Sequence, residues 1–418
     1  MAETSDMRDR AKKAVLRLLA TYPQTPDTNT DGDAGLGEAG WLQLDEMVEQ
    51  HLLAPLLHHL NTERKSAVTV PTALRVKFAE AYRAAAFRAL TVQAALLKID
   101  ALLRAEGIVY AALKGARLTW HAYPHPALRP MRDIDIVVSP ADAVHTYRLL
   151  LKNGYERYAN RTTPEELALE NSKHLPPIRH LETNVQIELH AHLFRKELSA
   201  QPNAHMLNTP ALLDRRIELP LGSSRISFLG HEETLLHLVI HSVYDSKFSN
   251  GPIVLSDLHY LLASNEIDWP RFWEMARQGG WVAGCHLAFG LLERYHGSHK
   301  IEWPAGEQFD LPGPVLDDAA VSMLLNKTRF KDIDLELNLM GADNRKSFIS
   351  AIKLLFPSKY QLRDFAKTSS DSPLIWALYP VWLISRAFEF LANRLNRGQR
   401  TELSEIAHVV VWLKAQRK

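Results

Sequence analysis

Asp133-Ile134-Asp135-Ile136-Val137-Val138 is the stretch that decides how this 418-residue chain is read. Apolar and acidic residues alternate with the period of a β-strand, in which residues i and i+2 share a face. Asp133 and Asp135 therefore project together, and Ile134 and Ile136 project to the other side. The apolar neighbours and Val137-Val138 argue for a central strand, where bare acids are costly. Two adjacent carboxylates raise each other's pKa unless a cation lies between them. A divalent metal fills that role, and a few carboxylates with room for water and phosphate oxygens suit Mg²⁺. The competing reading is an exposed strand with two solvated acids.

The neighbouring sequence extends the pattern. Ile108 to Leu113 reads as a buried strand, followed by Lys114-Gly115 and a short helix to about Tyr123. A glycine at such a turn lets a phosphate approach the backbone, and the helix start offers free N–H groups. Lys114 would then neutralise a triphosphate; otherwise it is a surface lysine at a strand-to-helix turn. The loop Pro124–Pro130 and Met131-Arg132 deliver Arg129 and Arg132 ahead of Asp133. Arginine suits multidentate phosphate contacts, although Arg132 would equally serve to neutralise the acids. Ser139-Pro140 reads as a helix start, with Asn153-Gly154 as its stop. Two strands follow, 174–181 and 185–190, joined by a turn at Glu182-Thr183-Asn184. In the second, Glu188 and His190 share a face, and Glu188 is a plausible third metal ligand or base. Residues 108–192 thus form a compact mixed α/β unit.

Helical patterns surround this unit: 6–20, Trp41–Leu60 and Thr72–Glu106 before it; 231–246, 253–263, 270–278, 281–296, 346–356, 374–396 and 401–416 after it. The predicted organisation is α+β, with a mixed β-sheet core at 107–228. Helical regions flank it at 1–106, with a flexible loop at 24–40, and at 229–418. Lys and Arg (49) nearly balance Asp and Glu (48), so no charge surplus points to a nucleic-acid or membrane partner. The single cysteine, Cys285, excludes an intramolecular disulfide framework and a cysteine-rich metal site; it reads as a buried small residue. The polar N-terminus is no secretory signal, and no apolar run is long enough to span a bilayer, so the expected setting is cytoplasmic.

Taken in order, several of these pieces resemble one family. Leu113-Lys114-Gly115, Tyr123-Pro124, Leu128-Arg129-Pro130-Met131, the acidic strand at 133–138, Gly154-Tyr155 and Glu188-Leu189-His190 are similar to the uncharacterised bacterial nucleotidyltransferases of the DNA polymerase β-like superfamily. His51 to Leu57, His241, Asp257-Leu258 and Asp268-Trp269 extend the likeness to roughly residues 40–295. The resemblance implies a nucleotidyltransferase-type sheet with a glycine turn and an acidic strand. It implies transfer of a nucleoside monophosphate from an NTP, ATP among them, to an acceptor hydroxyl or amine. It also implies two metals, Mg²⁺ or Mn²⁺, held by Asp133, Asp135 and Glu188, with Lys114, Gly115, Arg129 and Arg132 on the phosphate side. Better-known relatives carry Gly-Ser or Gly-Gly at the glycine turn, closer to the acids. Here the turn is Gly115-Ala116, with 17 residues between Gly115 and Asp133.

Other signals compete. Asp27 to Gly32 with Glu38 fits an EF-hand loop formula, but Pro23 and Pro26 deny it the entering helix. His190-x-His192, with His174 and His180 nearby, would suit zinc and a metallohydrolase. The stripe Trp376, Tyr379, Trp382, Phe388 and Phe390 reads first as core packing. Its alternative is a partner-gripping arm of a catalytically silent nucleotide-binding or adaptor protein. The acceptor expected for the transferase is a small molecule, peptide or protein, and nucleic acid is not favoured.

Overall fold

The structure, a computed structural model, describes residues 2–21, 36–63, 68–158, 163–194, 205–304, 306, 310–324, 357, 359–366, 373–395 and 397–416. The Asp27–Gly32 segment and the helix expected at 346–356 lie outside the described residues.

The chain is α+β, as its sequence predicts: a seven-stranded mixed sheet set among helices. The strands are β1 (Tyr110–Ala112), β2 (Asp133–Val138), β3 (Tyr155–Arg157), β4 (Ile178–His180), β5 (Gln186–His190), β6 (Ile217–Leu221) and β7 (Ser224–Phe228). Their order across the sheet is β3-β4-β5-β2-β1-β7-β6. The acidic strand β2 is central, antiparallel to β1 and parallel to β5. The register of the parallel pair sets Ile134 beside Ile187, Asp135 beside Glu188 and Val137 beside His190. Hairpin β6–β7 enlarges the expected 108–192 unit and was not anticipated. Pro220 is tolerated because β6 is an edge strand, where a missing N–H costs no ladder bond.

Among the described residues, thirteen α-helices precede the last segments. They are α1 (Ala2–Leu19), α2 (Gly37–Gln50), α3 (Ala54–Thr62), α4 (Thr72–Ala105), α5 (Gly115–His121), α6 (Ala143–Lys152), α7 (Glu165–Asn171), α8 (Thr209–Asp214), α9 (His231–Ile240), α10 (Ile253–Ser264), α11 (Trp269–Gly279), α12 (Val282–His296) and α13 (Gly313–Ser322). α4 and α6 cover one sheet face, burying Leu96, Leu103, Tyr147 and Leu150 against Ile134, Ile136 and Ile187. The other face carries Val137 and Leu113 into a second core shared with α1–α3 and α9–α13. The acids of β2 thus face the helical part of the chain.

Several local expectations change. The pattern over Trp41–Leu60 is two helices, because Leu52 turns the chain with φ +57°. The helix expected at Ser139 begins at Ala143: the Ser139 hydroxyl donates to Asp142 Oδ2 (2.7 Å) and accepts from the Asp142 N–H (3.2 Å), closing a turn first. The helix 231–246 widens into a single π turn at His241–Asp245. α13 and helix Lys359–Ala366 were not anticipated. The expected stripe is packed only in part: Trp382 is buried and Tyr379 half-buried, whereas Trp376 is 51% and Phe388 73% exposed, and the Phe390 side chain lies outside the described residues. Cys285 is buried in α12, as expected.

Candidate metal and nucleotide site

Asp135 and Glu188 come together because β2 and β5 run parallel in a register that aligns their polar faces, and Asp133 lies two residues along the same face, outside the group whose donor atoms meet. Asp135 is 5% exposed and Asp133 lies at the more open end of the strand. Lys114 reaches into this group, its Nζ donating to Asp135 Oδ1 at 2.9 Å. It does so from a strained backbone, φ +43° in a non-glycine residue, at the turn from β1 into α5. The same Asp135 oxygen accepts from His190 Nε2 at 2.9 Å, and Glu188 Oε2 lies 3.8 Å from that nitrogen. Donor atoms of Asp135, Glu188 and His190 all lie within 4.8 Å of one another, the group among the described residues suited to hold a metal ion.

The electrostatics are unbalanced. Three carboxylates meet one close lysine, and the acids do not titrate alike. Burial, then the charges of Asp135 and Glu188, push the Asp133 carboxyl up to about 7. Burial acts the same way on Asp135, but Lys114 and His190 outweigh it and hold that carboxyl well below its usual range. Burial depresses His190 to about 3, so its imidazole is neutral and Nε2 carries the donated proton. An excess of buried negative charge, with one acid protonated near neutrality, is the environment a divalent cation relieves. The carboxylate oxygens of Asp135 and Glu188 fit such an ion.

The arginines are placed differently. Arg129 is buried and forms a two-pronged pair with Asp257 of α10: Nε to Oδ1 at 3.0 Å and Nη2 to Oδ2 at 2.9 Å. Tyr123 donates its hydroxyl to the same Asp257 Oδ1 at 2.8 Å. Arg129 nevertheless lies close enough to lower the Asp133 pKa. Arg132 neutralises neither acid by direct contact; its Nη2 donates to the Gln50 carbonyl at 2.6 Å from an exposed position. Gly115 opens α5 with its missing Cβ directed at side chains: a methyl there would lie 3.0 Å from Arg129 Nη1 and from Met131 Cγ and Sδ.

Of the four histidines weighed for zinc, His174, His180, His190 and His192, only His190 falls in a group of three donors among the described residues. His180 Nδ1 accepts from the N–H groups of Glu182 and Thr183 in the β4–β5 turn. His174 stands beside His190, ring centroids 5.3 Å apart, with its own Nδ1 on the Leu175 carbonyl. His190 joins the carboxylates instead, a placement that its shared strand face with Glu188 had signalled. No local pattern announced the roof over this face. There the π turn carries His241 and Asp245, and Asp245 forms a buried ion pair with Lys173. Burial, then Lys114, lowers His241 to about 4.

A model of an uncharacterised nucleotidyltransferase family matches residues 37–297, well over half of the chain. The chain belongs to that family. No curated protein matches it. Within the family match lie the whole sheet, the acid cluster, the Arg129–Asp257 pair and the π turn. The segment after α12, including the exposed stripe, lies outside it. No described helix is long and apolar enough to cross a membrane.

Proposed function

We propose that this nucleotidyltransferase moves a nucleoside monophosphate from an NTP to an acceptor hydroxyl or amine, with Mg²⁺ at Asp133, Asp135 and Glu188. The observation that carries the reading is the alignment of Asp135 with Glu188 across parallel strands, two residues from Asp133, on one partly buried face. When bound, divalent cations supply charge stabilisation to both the attacking and the leaving oxygen of an in-line displacement.

The chain's residues do the rest. Lys114 exchanges Asp135 for the triphosphate, and Arg132 turns from the Gln50 carbonyl toward the leaving group. Arg129 stays on Asp257 and acts through space, with the missing Cβ of Gly115 directed at its Nη1. Glu188 takes the acceptor's proton as the acceptor oxygen or nitrogen bonds to the α-phosphorus. The bond from that phosphorus to the β-phosphate bridging oxygen breaks, and pyrophosphate leaves with its electron pair. Positioning and charge neutralisation account for most of such catalysis. In the same reading residues 107–228 are the catalytic core, and 1–106 and 229–418 shape the acceptor side. The acceptor is a small molecule, peptide or protein, in the cytoplasm.

Calorimetric titration of each of the four NTPs, with Mg²⁺ and with EDTA, tests this without knowledge of the acceptor. One NTP is expected to bind only with metal, and Asp133→Ala/Asp135→Ala is expected to weaken it. Equal binding by the double variant would sink the assignment. The zinc-hydrolase alternative requires zinc to co-purify stoichiometrically, whereas Mg²⁺ washes out. The adaptor reading draws on the exposed Phe388 of helix Tyr379–Leu395 and predicts NTP binding without turnover, or neither.

A further inference from the structure

The geometry points to His190 as a nitrogen ligand of the metal, which turns the site's preference from Mg²⁺ toward Mn²⁺. This rests on the transferase reading and specifies its cation. Three carboxylates alone would make a hard, all-oxygen site. His190 changes that chemistry. Its side chain is 1% exposed, and its Nε2 is aimed between the two acids, 2.9 Å from Asp135 Oδ1 and 3.8 Å from Glu188 Oε2. Neighbouring ligands on an octahedral ion with bonds near 2.1 Å stand about 3 Å apart. The His190–Asp135 pair already stands at that spacing, and all three donors lie within 4.8 Å of one another. Ligation through Nε2 requires the imidazole proton to sit on Nδ1. Nδ1 is buried with no hydrogen-bond partner among the described residues, so the proton leaves a hydrogen-bonded nitrogen for one without an acceptor, a cost that the metal bond has to offset.

Position and chemistry argue together. His190 sits two residues from Glu188 on the same strand face, beside Val137 in the ladder, so the sheet fixes its ring against the acids. A ring serving only as packing would not need both carboxylates within reach of one nitrogen. Imidazole favours borderline transition metals over Mg²⁺, which keeps to oxygen ligands and gives up its waters reluctantly. Of the divalent ions used in phosphoryl transfer, Mn²⁺ accepts both carboxylate and imidazole. Lys114 leaves Asp135 Oδ1 when the ion enters, because both occupy the same acid.

The test uses Mn²⁺ alone with the full-length protein, unlabelled and labelled with ¹⁵N-histidine. Pulsed electron paramagnetic resonance of the bound ion is expected to show nitrogen coupling that changes its pattern on labelling. His190→Gln is expected to abolish it. Competition titrations are expected to give Mn²⁺ a preference over Mg²⁺ of about tenfold or more, shrinking to near parity in His190→Gln. If that variant misfolds by circular dichroism, the labelled wild-type protein still carries the test. Bound Mn²⁺ without nitrogen coupling overturns the ligand assignment and leaves the transferase reading standing. So does coupling that survives in a folded His190→Gln. Absence of Mn²⁺ binding overturns both.

Discussion

Two buried charge clusters meet at the base of α5, and they are built on opposite principles. Around Asp257 the charges are balanced: one carboxylate, one two-pronged arginine and one tyrosine hydroxyl, every contact between 2.8 and 3.0 Å. Around Asp135 they are not: Lys114 pairs with Asp135 among three neighbouring carboxylates, and Asp133 is driven up to about 7. A balanced cluster joins parts of a fold, here the loop before β2 to helix α10. An unbalanced one costs stability and persists where something is to be bound. The difference teaches that Arg129, although it lies in the motif, belongs first to the architecture. Lys114, at a strained turn, belongs first to the site.

The sharpest way to break this comparison is Asp257→Ala. It strands a buried guanidinium and a buried phenol, and removing one partner of such a pair costs about 3–5 kcal/mol. Urea denaturation is expected to show a loss of that size. A loss under about 1 kcal/mol would mean that Arg129 is easily released, and would return it to the phosphates. Asp135→Asn should do the reverse. Turnover is expected to fall by roughly 10²–10³-fold, the scale of losing one preorganised charge-stabilising group. Stability should move by less than about 1 kcal/mol, because Asp133 and Glu188 remain near Lys114 to compensate it. Kinetics and denaturation on one preparation separate the two clusters.

The unbalanced cluster was the more legible in the sequence, and the reason is physical. Asp133 to Val138 alternates with a period of two, so strand, face and neighbours follow from six residues. The same alternation exposes Glu188 and His190 in β5. The long helix α4 and helices α9–α12 were equally plain from periodicity and stop signals. The balanced cluster depends on Asp257, 128 residues from Arg129. No local pattern carries such a pairing, so both arginines read as phosphate ligands or counter-ions. The β6–β7 hairpin hides behind Pro220 and short, half-exposed strands. The break at Leu52 hides because a left-handed leucine interrupts an otherwise continuous apolar stripe. Likewise the apolar stripe of helix Tyr379–Leu395 does not say whether its far side is covered.

Acid–base behaviour sharpens the comparison at smaller cost. In EDTA, the raised pKa of Asp133 means that the folded chain keeps a proton that the unfolded chain releases between about pH 4 and about 7. Stability drawn from Asp133 therefore falls as pH rises through that window. Asp133→Asn removes the effect. The variant's advantage over wild type is expected to grow from pH 4 to 7 and then level off. Partial exposure of Asp133 keeps the slope below the ceiling of about 1.4 kcal/mol per pH unit. Both proteins should lose stability together as pH falls below about 6.5. Burial holds His190 near 3 and His241 near 4, so only their unfolded forms take up protons there. A flat difference between variant and wild type would remove Asp133 from the unbalanced cluster.

Gly115 stands between the two clusters, and its substitution should have the smallest effect. A glycine at a strand-to-helix turn invites a phosphate reading, in which any side chain blocks the nucleotide. The direction of the missing Cβ argues otherwise. It points at Arg129 Nη1 and at the Met131 thioether, all 3.0 Å away, close enough that neighbours must give by a few tenths of an ångström. Arg129 is pinned by Asp257, so Met131, flexible and polarisable, absorbs most of the shift. Gly115→Ala is expected to cost about 1 kcal/mol of stability, the low end of overpacking. NTP affinity should change by no more than about threefold, under 0.7 kcal/mol. Adding Asp257→Ala should lower the cost of the methyl, since a released Arg129 can move aside, and a double-mutant cycle measures that coupling. A large loss of NTP affinity with unchanged stability would place the glycine in the unbalanced cluster after all, facing phosphate instead of arginine.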